Sequence, residues 1–155
     1  MRHIIFYRLM TEIFTSSSEA ETIEIAKKCA RTLAPGSRIC LTGELGSGKT
    51  VFMRGLTEYY SCSGQLSSPT FSLLNIYQGS FHGEPVTLHH FDLYRLRSAE
   101  ELDAIGFDEF VSDASLSVVE WGERFFDYYS NYNALVTFAY DGLSRRGITV
   151  AWRES

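Results

Sequence analysis

The chain has 155 residues, of which 45% are hydrophobic and 21% charged, and its formal net charge is -5. This length and composition fit one packed globular domain over residues 1–155 that needs neither disulfides nor a structural metal. The acidic balance argues against a long basic surface for nucleic acid, so we expect any nucleic acid to be held by a partner.

The first half of the chain predicts helices and strands in alternation. Serines at 16–18 are suited to cap a helix, and Pro35 with Gly36 ends it. The predicted elements are a helix over 19–33, a strand over 38–42, a helix over 48–60 and an exposed loop over 61–69.

The second half predicts mostly strands that pair with one another. They are antiparallel strands over 70–78 and 86–94 with a turn over 79–85, a helix over 98–105 closed by Gly106, a strand over 116–121, and strands over 134–140 and 147–152 around a turn. The predicted fold class is therefore α/β, a mixed sheet flanked by helices as in P-loop NTPases.

Neither a membrane segment nor a metal cluster is expected. No stretch approaches the ~20 apolar residues that span a bilayer, and Arg8 interrupts the apolar N-terminal run, so we expect a soluble, cytoplasmic protein without a signal peptide. His89 and His90 would point to opposite faces of a strand. The cysteines Cys29, Cys40 and Cys62 lack CxxC spacing and are interpreted as reduced, mostly buried thiols.

A glycine-rich segment between the first strand and the second helix matches GxxxxGK[ST]. Its residues are Gly43, Glu44, Leu45, Gly46, Ser47, Gly48, Lys49 and Thr50, and Val51 follows in the helix. The glycines let backbone N–H groups turn towards phosphate oxygens, and the helix start adds a positive dipole end. Lys49 would reach the β and γ phosphates and Thr50 would ligate Mg²⁺, so the segment predicts binding of ATP with Mg²⁺.

Two later strands each end in a carboxylate, at Asp92 and at Glu120. One could ligate Mg²⁺ while the other orients the attacking water, and the sequence alone does not assign them. A turn-capping or solvated acid is the alternative for each. The predicted catalytic residues are Lys49, Asp92 and Glu120, and the predicted metal ligands are Thr50, Asp92 and Glu120.

Two further positions are candidates for contact with the nucleotide. Thr70, in Ser68-Pro69-Thr70, lies where nucleotide switches present a threonine to the γ phosphate, although a plain loop threonine is equally common. Trp121 is placed to stack near the nucleotide, or else simply to pack. Several arginines could stabilise charge in phosphoryl transfer, but none is singled out.

Five motifs in this order and spacing resemble the TsaE (YjeE) family of bacterial tRNA-modification ATPases. They are GELGSGKT, SSPTFSLL, HHFDLYRL, ELDAIGFDEF and VVEWGE. The resemblance covers roughly residues 15–152. Its most specific parts are the segments at 68–71, 90–95 and 119–121.

The resemblance implies a small ATPase that joins TsaB and TsaD in making threonylcarbamoyladenosine on tRNA. The transfer itself would belong to TsaD, tRNA would be met through the complex, and ATP hydrolysis would reset that complex. Carried over by motif, Glu120 is the magnesium-side carboxylate and Asp92 belongs to the ATPase centre. Val51 departs from the family pattern, which usually has a second threonine, and removes one possible hydroxyl contact to the α phosphate.

Other functions use the same loop. A small-molecule kinase should add an acceptor pocket and an arginine-bearing lid, and no lid segment is evident. A regulatory GTPase should carry an NKxD segment, which is absent from the sequence. A nucleotide-gated binding module with negligible turnover stays open, because the sequence does not distinguish it from an ATPase.

Overall fold

The computed structural model describes residues 9–64 and 73–153. Its strands are β1 Leu9–Ser16, β2 Ser37–Thr42, β3 Leu74–Phe81, β4 Glu84–Asp92, β5 Leu116–Glu120, β6 Ala134–Tyr140 and β7 Arg146–Arg153. Its helices are α1 Glu19–Ala30, α2 Lys49–Tyr59, α3 Glu100–Ala104 and α4 Phe107–Asp113, with a 3₁₀ helix at Gly122–Phe125.

The seven strands form one mixed sheet in the order β1-β7-β6-β2-β5-β4-β3. The four central strands β6, β2, β5 and β4 run parallel to one another, while β1–β7, β6–β7 and β3–β4 are antiparallel pairs. The predicted α/β class with a mixed sheet flanked by helices is therefore confirmed.

Each face of the sheet is covered by its own apolar core. On one face, Leu88 of β4 and Val118 of β5 pack with the buried sides of α1 and α2. On the other face, Phe91 and Val119 pack with residues of α3, α4 and the 3₁₀ helix. Because side chains alternate along a strand, these two pairs fix the face on which each neighbouring side chain lies.

Most predicted elements are present, with shifted ends. Helix α1 is capped by the Ser18 side chain, as expected, but ends at Ala30 because Thr32 and Leu33 donate to carbonyls three residues back, which tightens the last turn. The β3–β4 hairpin turns at His82–Gly83 and not across 79–85. Gly79 instead lies against the end of α2, where an added Cβ would be 2.2 Å from the Tyr60 carbonyl oxygen.

Three elements were not predicted: β1, α4 and the 3₁₀ helix. Gly106 was interpreted as the end of a helix, yet with φ +71 it joins α3 to α4. Part of the predicted strand over 70–78 lies outside the described residues. Within the described residues, no helix is long and apolar enough to cross a bilayer. The three cysteines are free, Cys29 and Cys40 are buried, and burial raises the pKa of Cys29 to about 12.

The close packing of α1 on α2 predicts the effect of Gly55→Ala. An alanine Cβ would lie 2.5 Å from the Cβ of Ala26 and 2.7 Å from the carbonyl oxygen of Ile23. Helix propensity alone would make the alanine stabilising by ~1 kcal/mol, but overpacking costs about 1–3 kcal/mol. We therefore expect a lower free energy of unfolding in urea, partly recovered when Ala26→Gly is added. An increase in stability would contradict the packing.

Candidate active site

Two carboxylates meet at one edge of the sheet because the central strands are parallel and in register. Asp92 at the end of β4 pairs with Glu120 at the end of β5, and Glu120 also pairs with Leu41 of β2. The chain leaves β2 at this same edge to enter the glycine-rich loop. The structure thus brings both predicted acids beside the predicted phosphate-binding loop.

The loop holds a shape that only glycine accommodates at its first position. Gly43 has φ +148, and a Cβ there would lie 2.7 Å from Ser47 Oγ and 2.9 Å from the Phe138 carbonyl oxygen. Gly46 and Gly48 also have positive φ, at +76 and +112. These values let the backbone curl tightly between β2 and α2.

The two long helices begin differently. Helix α1 has a side-chain cap at Ser18 and acidic residues in its first turn. Helix α2 begins after Gly48 with no side-chain cap and no acidic residue in its first turn. The first N–H groups of a helix need partners, and an anion is the partner that the helix dipole favours. The start of α2 therefore suits an anion such as phosphate.

Lys49 is held inside the site although it carries a charge. Its side chain is buried, and its ammonium donates a hydrogen bond to the Gly43 carbonyl oxygen at 2.6 Å. The ammonium also lies 4.4 Å from the centre of the Trp121 ring. Trp121 is half-buried, has φ +63 and contacts the Tyr94 ring at 5.0 Å. Trp121 is therefore part of the site, packed against the lysine.

A cleft of about 180 Å³ opens between the loop, the start of α2 and the two strand ends. Nine predicted site residues line it, namely Leu45, Gly46, Gly48, Lys49, Thr50, Val51, Asp92, Glu120 and Trp121. Gly43, Glu44 and Ser47 do not line it: Gly43 accepts the lysine hydrogen bond, Glu44 is exposed and Ser47 is buried. Thr70 lies outside the described residues.

The environments of the two acids differ. Glu120 is buried, whereas Asp92 is half-buried and accepts a hydrogen bond from the Tyr94 N–H at 3.0 Å. Burial raises the pKa of Asp92, and the nearby Glu120 carboxylate adds to the rise, while the Tyr94 N–H and Lys49 oppose it. The Asp92 carboxylate is therefore destabilised in the folded chain.

The residues present fit a phosphate group held together with a hard cation. The Thr50 hydroxyl and the carboxylates of Asp92 and Glu120 supply only oxygen donors, which Mg²⁺ prefers. Among the described residues, no group of three or more His, Cys, Asp or Glu could hold a metal alone. The Ser47 hydroxyl, which lies in the loop itself, is buried with no hydrogen-bond partner among the described residues.

The sequence interpretation missed three residues near the site. His90 is buried with its Nε2 3.7 Å from Glu120 Oε1, and His-x-Asp spacing could have placed it on the face of Asp92. Glu123 has one buried oxygen that finds no hydrogen-bond partner in the part of the chain that the structure describes, and burial raises the pKa of Glu123 against the opposing charge of Lys49. The Tyr140 hydroxyl donates to the Leu45 carbonyl oxygen at 3.5 Å, which no local sequence pattern indicates, and Arg146, one of the arginines considered for charge stabilisation, lies over the Tyr140 ring.

Comparison with known proteins identifies the family. The family model described as "Threonylcarbamoyl adenosine biosynthesis protein TsaE" matches residues 16–148. The chain belongs to the TsaE family. The resemblance inferred from the five motifs is thereby confirmed.

Relatives named tRNA threonylcarbamoyladenosine biosynthesis protein TsaE match most of the chain. The Treponema pallidum protein is 36% identical over 88% of this chain and 97% of its own length. The Nostoc protein is 35% identical over 90% of this chain and 86% of its own. The Rickettsia conorii protein is 42% identical over 70% of this chain, and the match spans 60% of that longer relative.

A solved structure shows the same fold. The crystal structure of Bacillus subtilis YdiB superposes with a TM-score of 0.78 over 96% of this chain and 89% of its own, at 24% identity. The arrangement of strands and helices in this TsaE-family chain therefore also occurs in a crystal structure.

The raised pKa of Asp92 predicts how Asp92→Asn changes stability with pH. The pKa of Asp92 in the folded chain lies above the unfolded value of ~3.9, so its ionised carboxylate lowers the free energy of unfolding. This loss of stability is absent below pH ~3.9 and grows as the pH rises through the two pKa values. Without nucleotide or metal, Asp92→Asn should unfold a few degrees (~2–4 °C) above wild type at pH 7. The difference should vanish near pH ~3, below both pKa values.

The matched control is Asp141→Asn, at an exposed turn residue. It should leave the midpoint of thermal unfolding unchanged at both pH values. An Asp92→Asn variant that is equal to or less stable than wild type at pH 7 would show that the carboxylate is not destabilised in the fold.

Proposed function

We propose that this TsaE-family chain binds ATP with Mg²⁺ and hydrolyses it. One observation carries the proposal: a buried lysine, an uncapped helix start and two carboxylates from neighbouring strand ends line the same cleft. Phosphoryl transfer needs positive groups around the transferred phosphate and an acid that positions the attacking water. This cleft supplies both.

Each residue has a defined part in that chemistry. The loop N–H groups and the start of α2 would hold the phosphates, and Lys49 would move from the Gly43 carbonyl oxygen to the β and γ phosphates. Thr50 and Glu120 would hold Mg²⁺, which when bound neutralises charge developing on the phosphate oxygens. Asp92 would orient the attacking water, since the raised pKa of its carboxylate makes it a better acceptor for a proton of that water.

The family gives the hydrolysis its context. We infer that the chain serves tRNA threonylcarbamoyladenosine biosynthesis, as the names of its relatives indicate for them, and we propose that it does so in the cytoplasm. By family resemblance its partners are TsaB and TsaD, and its hydrolysis resets their complex. The net charge of -5 supports contact with tRNA through those partners and not through this chain.

The test is phosphate release from ATP with Mg²⁺, first by the chain alone and then with purified TsaB and TsaD. We expect slow release alone and faster release with the partners. Lys49→Ala should reduce the stimulated rate ~100-fold or more, because it removes a charge aimed at the transferring phosphate. The control is Lys28→Ala, an exposed lysine on α1, which should match wild type.

Other outcomes point to other functions. Bound ATP without release under any condition would contradict the ATPase and favour a nucleotide-gated binding module. Transfer of the phosphate to a small molecule would favour a kinase. Release that survives Lys49→Ala would show that the chemistry does not occur in this cleft.

A further inference from the structure

A buried histidine lies beneath the two carboxylates of the cleft. His90 is two residues before Asp92 on β4, so both side chains lie on the sheet face that carries α1 and α2. His89 lies on the opposite face, where its ring contacts Phe91 and Phe110. Only the second histidine of the pair is therefore directed at the site, as the alternation of the strand predicts.

The distance from His90 to Glu120 is just beyond that of a hydrogen bond. Nε2 lies 3.7 Å from Oε1, and the two side chains are only 2% and 6% exposed. In the part of the chain that the structure describes, neither ring nitrogen of His90 has a hydrogen-bond partner. A shift of less than ~1 Å would bring the pair to the ~3 Å of an N–H···O bond.

Packing alone does not account for a histidine here. Its neighbours along the same face, Leu88 of β4 and Val118 of β5, are fully buried and apolar. An imidazole buried without a partner destabilises a fold, and a leucine of similar size would avoid that cost. Glu120 lies within 4 Å and offers a carboxylate oxygen as the partner.

We propose that His90 is a positioning residue for Glu120. It donates its Nε2–H to Oε1 and fixes the rotamer of the carboxylate, which leaves the second oxygen to face the cleft. Partners of this kind orient metal-ligating carboxylates in many sites. The role rests on the proposed ATP and Mg²⁺ site, but the His90–Glu120 contact can be tested without either.

Three substitutions of His90 separate positioning from packing. His90→Gln carries an amide N–H that reaches about as far as Nε2, His90→Asn carries the same group on a shorter side chain, and His90→Leu has none. His89→Leu is the matched control on the opposite face. Glu120→Gln, alone and combined with His90→Leu, completes a double-mutant cycle.

The activity readout is phosphate release with TsaB and TsaD as a function of Mg²⁺ concentration. His90→Leu and His90→Asn should lower kcat ~10-fold and raise the half-saturating Mg²⁺ concentration several-fold, as losses of such partners do. His90→Gln should stay close to wild type, and so should His89→Leu. In the Glu120→Gln background, His90→Leu should have no further effect.

The structural readout is the imidazole ¹H–¹⁵N NMR spectrum of the free chain. We expect His90 to carry its proton on Nε2, with a signal that shifts in Glu120→Gln and not in Glu123→Gln, which changes a half-buried carboxyl near Lys49. Thermal unfolding should show His90→Leu less stable than His90→Gln, because the leucine leaves the buried Glu120 carboxylate without its N–H donor.

Two results would overturn the role of His90. One is a kcat lost equally in His90→Leu and His90→Gln, or lost again on top of Glu120→Gln, which would indicate packing. The other is a His90 signal unaffected by Glu120→Gln. If wild type neither binds nor hydrolyses ATP, the proposed function fails, and the NMR result alone decides whether His90 positions Glu120.

Discussion

Parallel pairing of β2, β5 and β4 determines where both carboxylates of the cleft lie and where the glycine-rich loop begins. In a parallel sheet the carboxyl ends of the strands share an edge, and in-register pairing aligns Leu41, Glu120 and Asp92 across three neighbouring strands. A slip of one residue in β5 would turn Glu120 to the opposite face, away from Lys49. The apolar residues that alternate with the acids hold this register, because they fill the two cores.

The cleft concentrates groups that the fold alone would disfavour. A buried lysine, a half-buried aspartate with a raised pKa and a buried glutamate line the cleft. Beside the glutamate lies a buried histidine that has no hydrogen-bond partner among the described residues. Burying charge costs stability unless partners compensate it, and here the partners are incomplete. Burial of charge with incomplete partners is expected at a site where a bound ligand supplies the remaining partners of the charged groups. The surrounding cores, which are apolar and well packed, offset that cost.

The parts of the fold that could be predicted are those with strong local signals. One motif predicts the glycine-rich loop, the strand before it and the helix after it. The acids at 92 and 120 are predicted because each comes at the end of an apolar strand. Thr70 and the nucleotide contacts themselves stay predictions. The alternation of β4 also explains why His89 and His90 lie on opposite faces, as expected from their adjacency.

The remainder depends on contacts distant in the sequence. Strand β1 has a weak alternation and is defined by its pairing with β7 near the other end of the chain. Gly79 resembles a turn glycine, but its lack of a side chain serves close packing against Tyr60. Gly106 ends α3 and begins α4, whereas the sequence rule that a glycine ends a helix anticipates only the first of these. The approach of Tyr140 to the loop depends on β6 lying beside β2.

The most direct test of the account is a calorimetric titration of ATP into the purified chain, with and without Mg²⁺. We expect saturable binding at one site per chain that Mg²⁺ strengthens and that Lys49→Ala abolishes, while Asp92→Asn keeps it. Absence of binding by the wild-type chain in the presence of Mg²⁺, or binding that Lys49→Ala leaves intact, would contradict the assignment of this cleft as an ATP site.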